Sequence, residues 1–119
     1  MASPISKFHS ILSDMNMPIS KSELKKMQSS AEDACKLMKV LSNPDRLMIL
    51  CQLSKGELRV GEIEEILGIV QPTLSQQLTV LRDEELVTTR REGKSIYYQV
   101  TSPRALAVIG TLYEQFCKP

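Results

Sequence analysis

Between residues 71 and 79 stand Gln71, Thr73, Ser75, Gln76, Gln77 and Thr79, polar side chains without charge. Each both donates and accepts hydrogen bonds, which is the chemistry that reads base edges. Gln pairs bidentately with adenine, and Ser and Thr bond to bases or phosphates. Ordinary solvated helix faces use Glu and Lys instead, so this stretch points to DNA. Leu74 lies in the same run and is counted with the DNA-contacting set. Arg82, Arg90, Arg91 and Lys94 follow, cations suited to neutralising phosphates or entering a minor groove. The local charge is nonetheless balanced: over residues 71–100 these four cations face Asp83, Glu84, Glu85 and Glu92.

A second chemistry resides in three thiols, Cys35, Cys51 and Cys117. A thiolate is a nucleophile and a soft-metal ligand. Taken singly, each is as well read as a buried structural cysteine. Their odd number and wide spacing do not suit a secreted disulfide scaffold. His9 is the single histidine, and no phosphate loop or carboxylate dyad accompanies it. An enzyme, which needs an acid–base pair or an activated nucleophile, is therefore not expected.

The elements that must position these groups can be traced by periodicity. Residues 1–21, with Pro4, Pro18 and many small polar residues, read as a mobile arm with one helical turn near Phe8–Leu12. The rest, 22–119, reads as one domain. Ser22 is expected to cap a helix over 23–41, where Met27, Ala31, Ala34, Leu37, Met38 and Leu41 recur at three and four residues. Asn43 and Pro44 restart the chain as a helix over 44–54, with Leu47, Leu50 and Cys51 on one stripe. Val60–Leu67 is a short helix stopped by Gly68, and Pro72 opens a helix over 72–83 with Leu74, Leu78 and Leu81 inward. Residues 86–91 and 95–100, joined by Glu92, Gly93 and Lys94, form a hairpin. Ser102 and Pro103 begin a last helix over 103–117, whose apolar stripe is Leu106, Ile109, Leu112, Tyr113 and Phe116.

Helix, turn, reading helix and basic hairpin together make a mainly α fold with a β-hairpin wing, a winged helix-turn-helix of five or six helices. The 119 residues are one domain's worth, 42% are hydrophobic, and the net charge is only +1. A domain this small gains from dimerisation. No apolar run approaches a membrane helix, and the first residues do not read as a secretory signal, so the cytoplasm is the expected compartment.

From about residue 29 to 117 the chain resembles the ArsR/SmtB family of winged-helix transcriptional repressors. The match is carried by LSNPDRLMILCQL and by ELRVGEIEEILGIVQPTLSQQLTVLRDEELVTTRREGKSIYYQV. The resemblance implies a homodimer joined through its first and last helices, here 23–41 and 103–117, on double-stranded operator DNA with two-fold symmetry.

Many members of that family sense metals through the pattern Glu-Leu-Cys-Val-Cys-Asp-Leu. The matching stretch here is Glu57-Leu58-Arg59-Val60-Gly61-Glu62-Ile63, with Arg59 and Gly61 where the thiols would be. A second family site uses Asp and His on the last helix, and residues 103–117 hold neither. No metal and no other cofactor is expected. The stretches Arg46–Cys51, Val60–Ile63, Gln71–Leu78 and Phe116–Cys117 resemble the BigR/SqrR/HlyU-like branch of the family. That resemblance implies a dithiol sensor in which Cys51 and Cys117 are bridged by reactive sulfur species, persulfide or polysulfide, or by oxidants. It also implies control of sulfide-detoxification genes. Cys117, near the chain end, is expected to be the exposed partner, and Cys35 to be structural or incidental. The alternatives are a metal-responsive repressor with a non-standard site, an oxidant-only dithiol sensor, and a winged-helix interaction module that binds no DNA.

Overall fold

A computed structural model describes residues 19–119. The expected helical turn at Phe8–Leu12, His9 and most of the arm lie outside the described residues. Helix α1 spans Lys21–Leu41. Its cap is Ser20 rather than Ser22: Ser20 Oγ accepts from the Glu23 N–H at 3.2 Å while the Glu23 carboxylate accepts from the Ser20 N–H at 3.4 Å. This reciprocal pair satisfies two backbone donors that the helix start leaves open.

The chain divides within α1 into two compact units, one ending at Ala34 and one beginning at Cys35. In the first, Leu24 and Met27 are exposed. In the second, α2 (Pro44–Leu53) starts where Asn43 Oδ1 accepts from the Arg46 N–H at 3.0 Å, with Pro44 in the first turn. Pro has no N–H to leave unsatisfied there. Helix α3 (Val60–Leu67) stops at Gly68, whose φ of +69° is a left-handed conformation that costs glycine little. Helix α4 (Thr73–Asp83) follows, and α5 (Pro103–Leu112) is capped by Ser102 Oγ accepting from the Ala105 N–H at 3.2 Å.

Strands β2 (Val87–Glu92) and β3 (Ser95–Val100) pair antiparallel, with Arg90 opposite Tyr97 and Glu92 opposite Ser95. β2 runs one residue beyond the expected strand, so the turn is only Gly93–Lys94, with Gly93 at φ +61°. The two-residue strand β1 (Leu58–Arg59) pairs with the free edge of β3, giving the order β1-β3-β2. Its two residues carry no alternation, so nothing in the sequence announces it.

Ile49, Leu50, Ile63, Leu74 and Leu81 have no exposed surface and form one core with Leu53, Leu78, Tyr98, Ala105 and Ile109. Helix α2 is its centre, touching α3, α4, α5 and β3. The last helix differs from expectation. It is α-helical only to Leu112 and ends in a π-turn, Tyr113–Cys117, closed by the Lys118 N–H on Tyr113 O at 3.0 Å. Of its expected apolar stripe, Ile109 is buried whereas Leu106, Tyr113 and Phe116 are exposed, Phe116 at 82%.

Candidate nucleic-acid interface and cysteine pair

Helix α4 turns three leucines inward and leaves a polar outer face. Leu74, Leu78 and Leu81 anchor it in the core. Leu74 has no exposed surface, so its inclusion among the DNA-contacting residues is corrected: it holds the reading helix down and presents nothing to a groove. Ser75 and Gln76 are exposed, and Thr73 and Gln77 are half-buried.

These side chains are not equally free. The Gln71 oxygen accepts from the Ser75 N–H at 3.0 Å and from Ser75 Oγ at 2.6 Å. Pro72, at the helix boundary, makes no side-chain cap, so Gln71 supplies it from one residue further back. Gln77 Oε1 accepts from Arg46 Nη1 at 3.0 Å, across 31 residues of sequence. Gln76 makes no side-chain hydrogen bond among the described residues.

The wing cations divide in the same way. Arg90 Nε donates to Glu57 Oε2 at 2.8 Å, Nη1 donates to Glu92 at 2.7 Å, and Nη2 also reaches Glu57. The guanidinium lies 4.3 Å over the Tyr97 ring, a cation–π contact. The Arg90 hydrogen bonds hold the Glu57 carboxyl below the ordinary carboxylate range, and the two carboxylates raise Arg90 in turn. Arg90 is thus tied to the loop before β1 and to its own strand. Arg82, Arg91 and Lys94 are exposed and have no ion pair among the described residues. Glu57 and Arg46 carry no local signal, since their partners are distant in the chain, whereas Tyr97 faces Arg90 directly across the hairpin.

At the start of α3 the Glu62 carboxylate accepts from the Arg59 backbone N–H at 3.0 Å and from Arg59 Nε at 3.1 Å. Arg59 and Gly61, where the family's metal motif has thiols, line an open cleft of about 550 Å³ with Glu62 and Lys94. No group of three His, Cys, Asp or Glu side chains is gathered for a metal among the described residues. No described helix is long and apolar enough to cross a membrane.

Cys35 and Cys117 are exposed and Cys51 is half-buried; all three are free thiols. Burial pushes the Cys51 thiol up, the charge of a Cys117 thiolate adds to that, and Lys55 opposes it. Cys51 therefore lies within reach of the charge of Cys117, although 66 residues (117 minus 51) separate them in sequence. Cys51 stands on α2, the helix at the centre of the core, five residues after Arg46.

Comparison with known proteins gives a consistent answer. The family described as "Bacterial regulatory protein, arsR family" matches residues 43–89. The chain is 48% identical to the biofilm growth-associated repressor of Xylella fastidiosa over 91 residues, 76% of this chain and 80% of that one. It is 38% identical to the transcriptional activator HlyU of Vibrio cholerae over 95 residues, 80% of this chain and 88% of that one. The crystal structure of the transcriptional repressor BigR from Xylella fastidiosa superposes with a TM-score of 0.75 at 46% identity, covering 80% of this chain and 97% of that one. Reduced HlyU from Vibrio cholerae also gives 0.75, at 37% identity over 79% of this chain and 99% of that one. These relatives are regulators of transcription, not enzymes.

Proposed function

The chain belongs to the arsR family of bacterial regulatory proteins, and we propose that it is a dimeric, thiol-switched transcriptional repressor. Its operator is double-stranded DNA with two-fold symmetry, and its compartment is the cytoplasm, where that DNA lies. The observation that carries the DNA reading is the outer face of α4, polar, uncharged and open to solvent, in a chain that also leaves the cations Arg82, Arg91 and Lys94 exposed. Thr73, Ser75, Gln76 and Gln77 read or touch the major groove, Gln71 shapes the helix start, and Arg90 braces the wing.

The dimer is supported by apolar surface that a single chain leaves in water: Leu106, Tyr113 and Phe116 at the chain end, and Leu24 and Met27 on α1. Burying such surface contributes about 25 cal/mol per Å².

The switch rests on Cys51 and Cys117. Cys117 is the exposed thiol, and burial keeps Cys51 more protonated, so Cys117 reacts first. Its thiolate attacks a sulfane sulfur of a persulfide or polysulfide, becomes Cys117–S–S⁻, and releases the remaining fragment as a thiolate. The Cys51 thiolate then attacks Cys117 Sγ and expels hydrosulfide, leaving a disulfide. Two thiols are oxidised and one sulfane sulfur is reduced to sulfide. A second sulfane transfer before closure would retain one sulfur in the bridge. Either bridge ties α2 to the last turn, and α2 also contacts α4, so the reading helix is displaced. A coupling of about 1–3 kcal/mol suffices for a 5- to 150-fold change in operator affinity. The regulated genes are those that detoxify sulfide.

The test is operator binding by gel shift for the wild type, Cys51→Ser and Cys117→Ser, with and without tetrasulfide. All three bind when reduced, and only the wild type is released. Release of either variant would overturn the two-thiol switch; failure of the reduced wild type to bind any palindromic fragment would overturn the DNA reading.

A further inference from the structure

We infer that Arg46 is a positioning residue for base recognition: it orients the Gln77 amide so that Gln77 turns its N–H donors outward to DNA, leaving Gln76 as the glutamine whose amide is free to turn and pair with adenine. The inference rests on the DNA reading of α4.

Arg46 stands in the first turn of α2 and makes three side-chain contacts. Its Nε donates to Val40 O at 2.7 Å, its Nη2 to Lys39 O at 3.4 Å, and its Nη1 to Gln77 Oε1 at 3.0 Å. The two carbonyls belong to the last turn of α1, whose final carbonyls have no partner within the helix. The guanidinium is therefore anchored at two points before it reaches Gln77.

A guanidinium has five donors and no acceptor, so the atom of Gln77 that faces it must be the oxygen. The Gln77 nitrogen then points away from Arg46. No described residue partners that nitrogen, and no buried side-chain nitrogen or oxygen of the described residues lacks a partner, so it is open to solvent. Gln77 lies on the outer half of the reading helix, one residue after the exposed Gln76.

Adenine offers its major-groove edge as one acceptor and one donor, and a glutamine reads it by using its nitrogen and oxygen together. The Gln77 oxygen is held toward Arg46, with one of its two lone pairs engaged there. The N–H donors are what the amide turns outward, which suits an acceptor: the O6/N7 edge of guanine, or a phosphate oxygen. Gln76 keeps both halves of its amide.

Gln77→Glu separates this role from a merely structural one. A carboxylate keeps an oxygen toward Arg46 and strengthens that contact, but it replaces the outward N–H donors with an acceptor. Gln77→Met removes both. Thermal melting and operator affinity are measured on the full-length reduced protein for these variants and Arg46→Met. Each is titrated against a panel of operators substituted one base pair at a time.

The expected result is that Gln77→Glu melts no lower than the wild type yet binds the operator at least about tenfold more weakly, as Gln77→Met also does. In Arg46→Met the freed amide turns, and affinity falls or preference at one base pair of each half-site relaxes about fivefold. If the Gln77→Met loss is confined to operators with guanine at one position, the acceptor is the base. If it is uniform across the panel, with the salt slope unchanged because glutamine carries no charge, the acceptor is a phosphate. Full operator affinity in Gln77→Glu, or an Arg46→Met protein with unchanged affinity and base profile, overturns the inference. Absence of binding by the wild type would overturn the DNA reading instead.

Discussion

Raising the salt concentration tests how many cations meet phosphate, a number that the proposed dimeric interface sets. Of the four cations on the reading helix and wing, Arg90 is committed to Glu57 and Glu92. Arg82, Arg91 and Lys94 have no ion pair among the described residues. Three per protomer make six in a dimer. Each neutralised phosphate contributes about −0.9 to the slope of log K against log salt, so the slope is about −5.4. Between about 50 and 200 mM KCl, a fourfold change, affinity falls about 2,000-fold. Arg91→Gln removes two contacts per dimer, and its slope becomes about −3.6. Fluorescence anisotropy on a labelled operator at four salt concentrations gives both slopes. A wild-type slope near −7, eight contacts, would mean that Arg90 leaves Glu57 to bind phosphate. A slope unchanged by Arg91→Gln would refute the assignment of the wing cations.

Further outcomes follow from the same contacts. Gln76→Ala lowers operator affinity about fivefold or more and leaves the denaturation midpoint nearly unchanged, because its side chain is exposed and makes no hydrogen bond among the described residues. Leu74→Ala destabilises the fold by about 2–5 kcal/mol in denaturant titration, since a fully buried leucine leaves a cavity; an unchanged midpoint would contradict its core placement. The Glu57 carboxyl is depressed by Arg90, so its ionised form stabilises the fold above the unfolded-state pKa, and that contribution is lost as pH falls through the lower folded value. Glu57→Gln therefore flattens the acid side of the melting-temperature profile, and an identical profile would remove the wing brace from the account.

Local signals were legible where they act locally. Asn43-Pro44 and Ser102-Pro103 cap the helices they precede, and Gly68 and Gly93 take the left-handed conformations their turns require. The reading face and its leucine stripe were also legible, because period and polarity coincide in α4. The contacts that decide which polar group is free were not. Gln77 and Arg46 are 31 residues apart, and Arg90 and Glu57 are 33 apart. Each isolated side chain looks equally available in sequence, and only folding assigns the donors. The π-turn at Tyr113–Cys117 was hidden for a related reason. Its residues fit an α-helical stripe, and a wider last turn leaves no mark in the spacing of apolar residues.

The most direct measurement is intact mass and operator affinity on one sample treated stepwise with tetrasulfide. Operator binding is expected to disappear in proportion to a species lighter by two hydrogens, or heavier by whole sulfur atoms less two hydrogens, whose peptide map joins Cys51 to Cys117. Full occupancy of that bridge with operator binding intact would contradict the two-thiol switch.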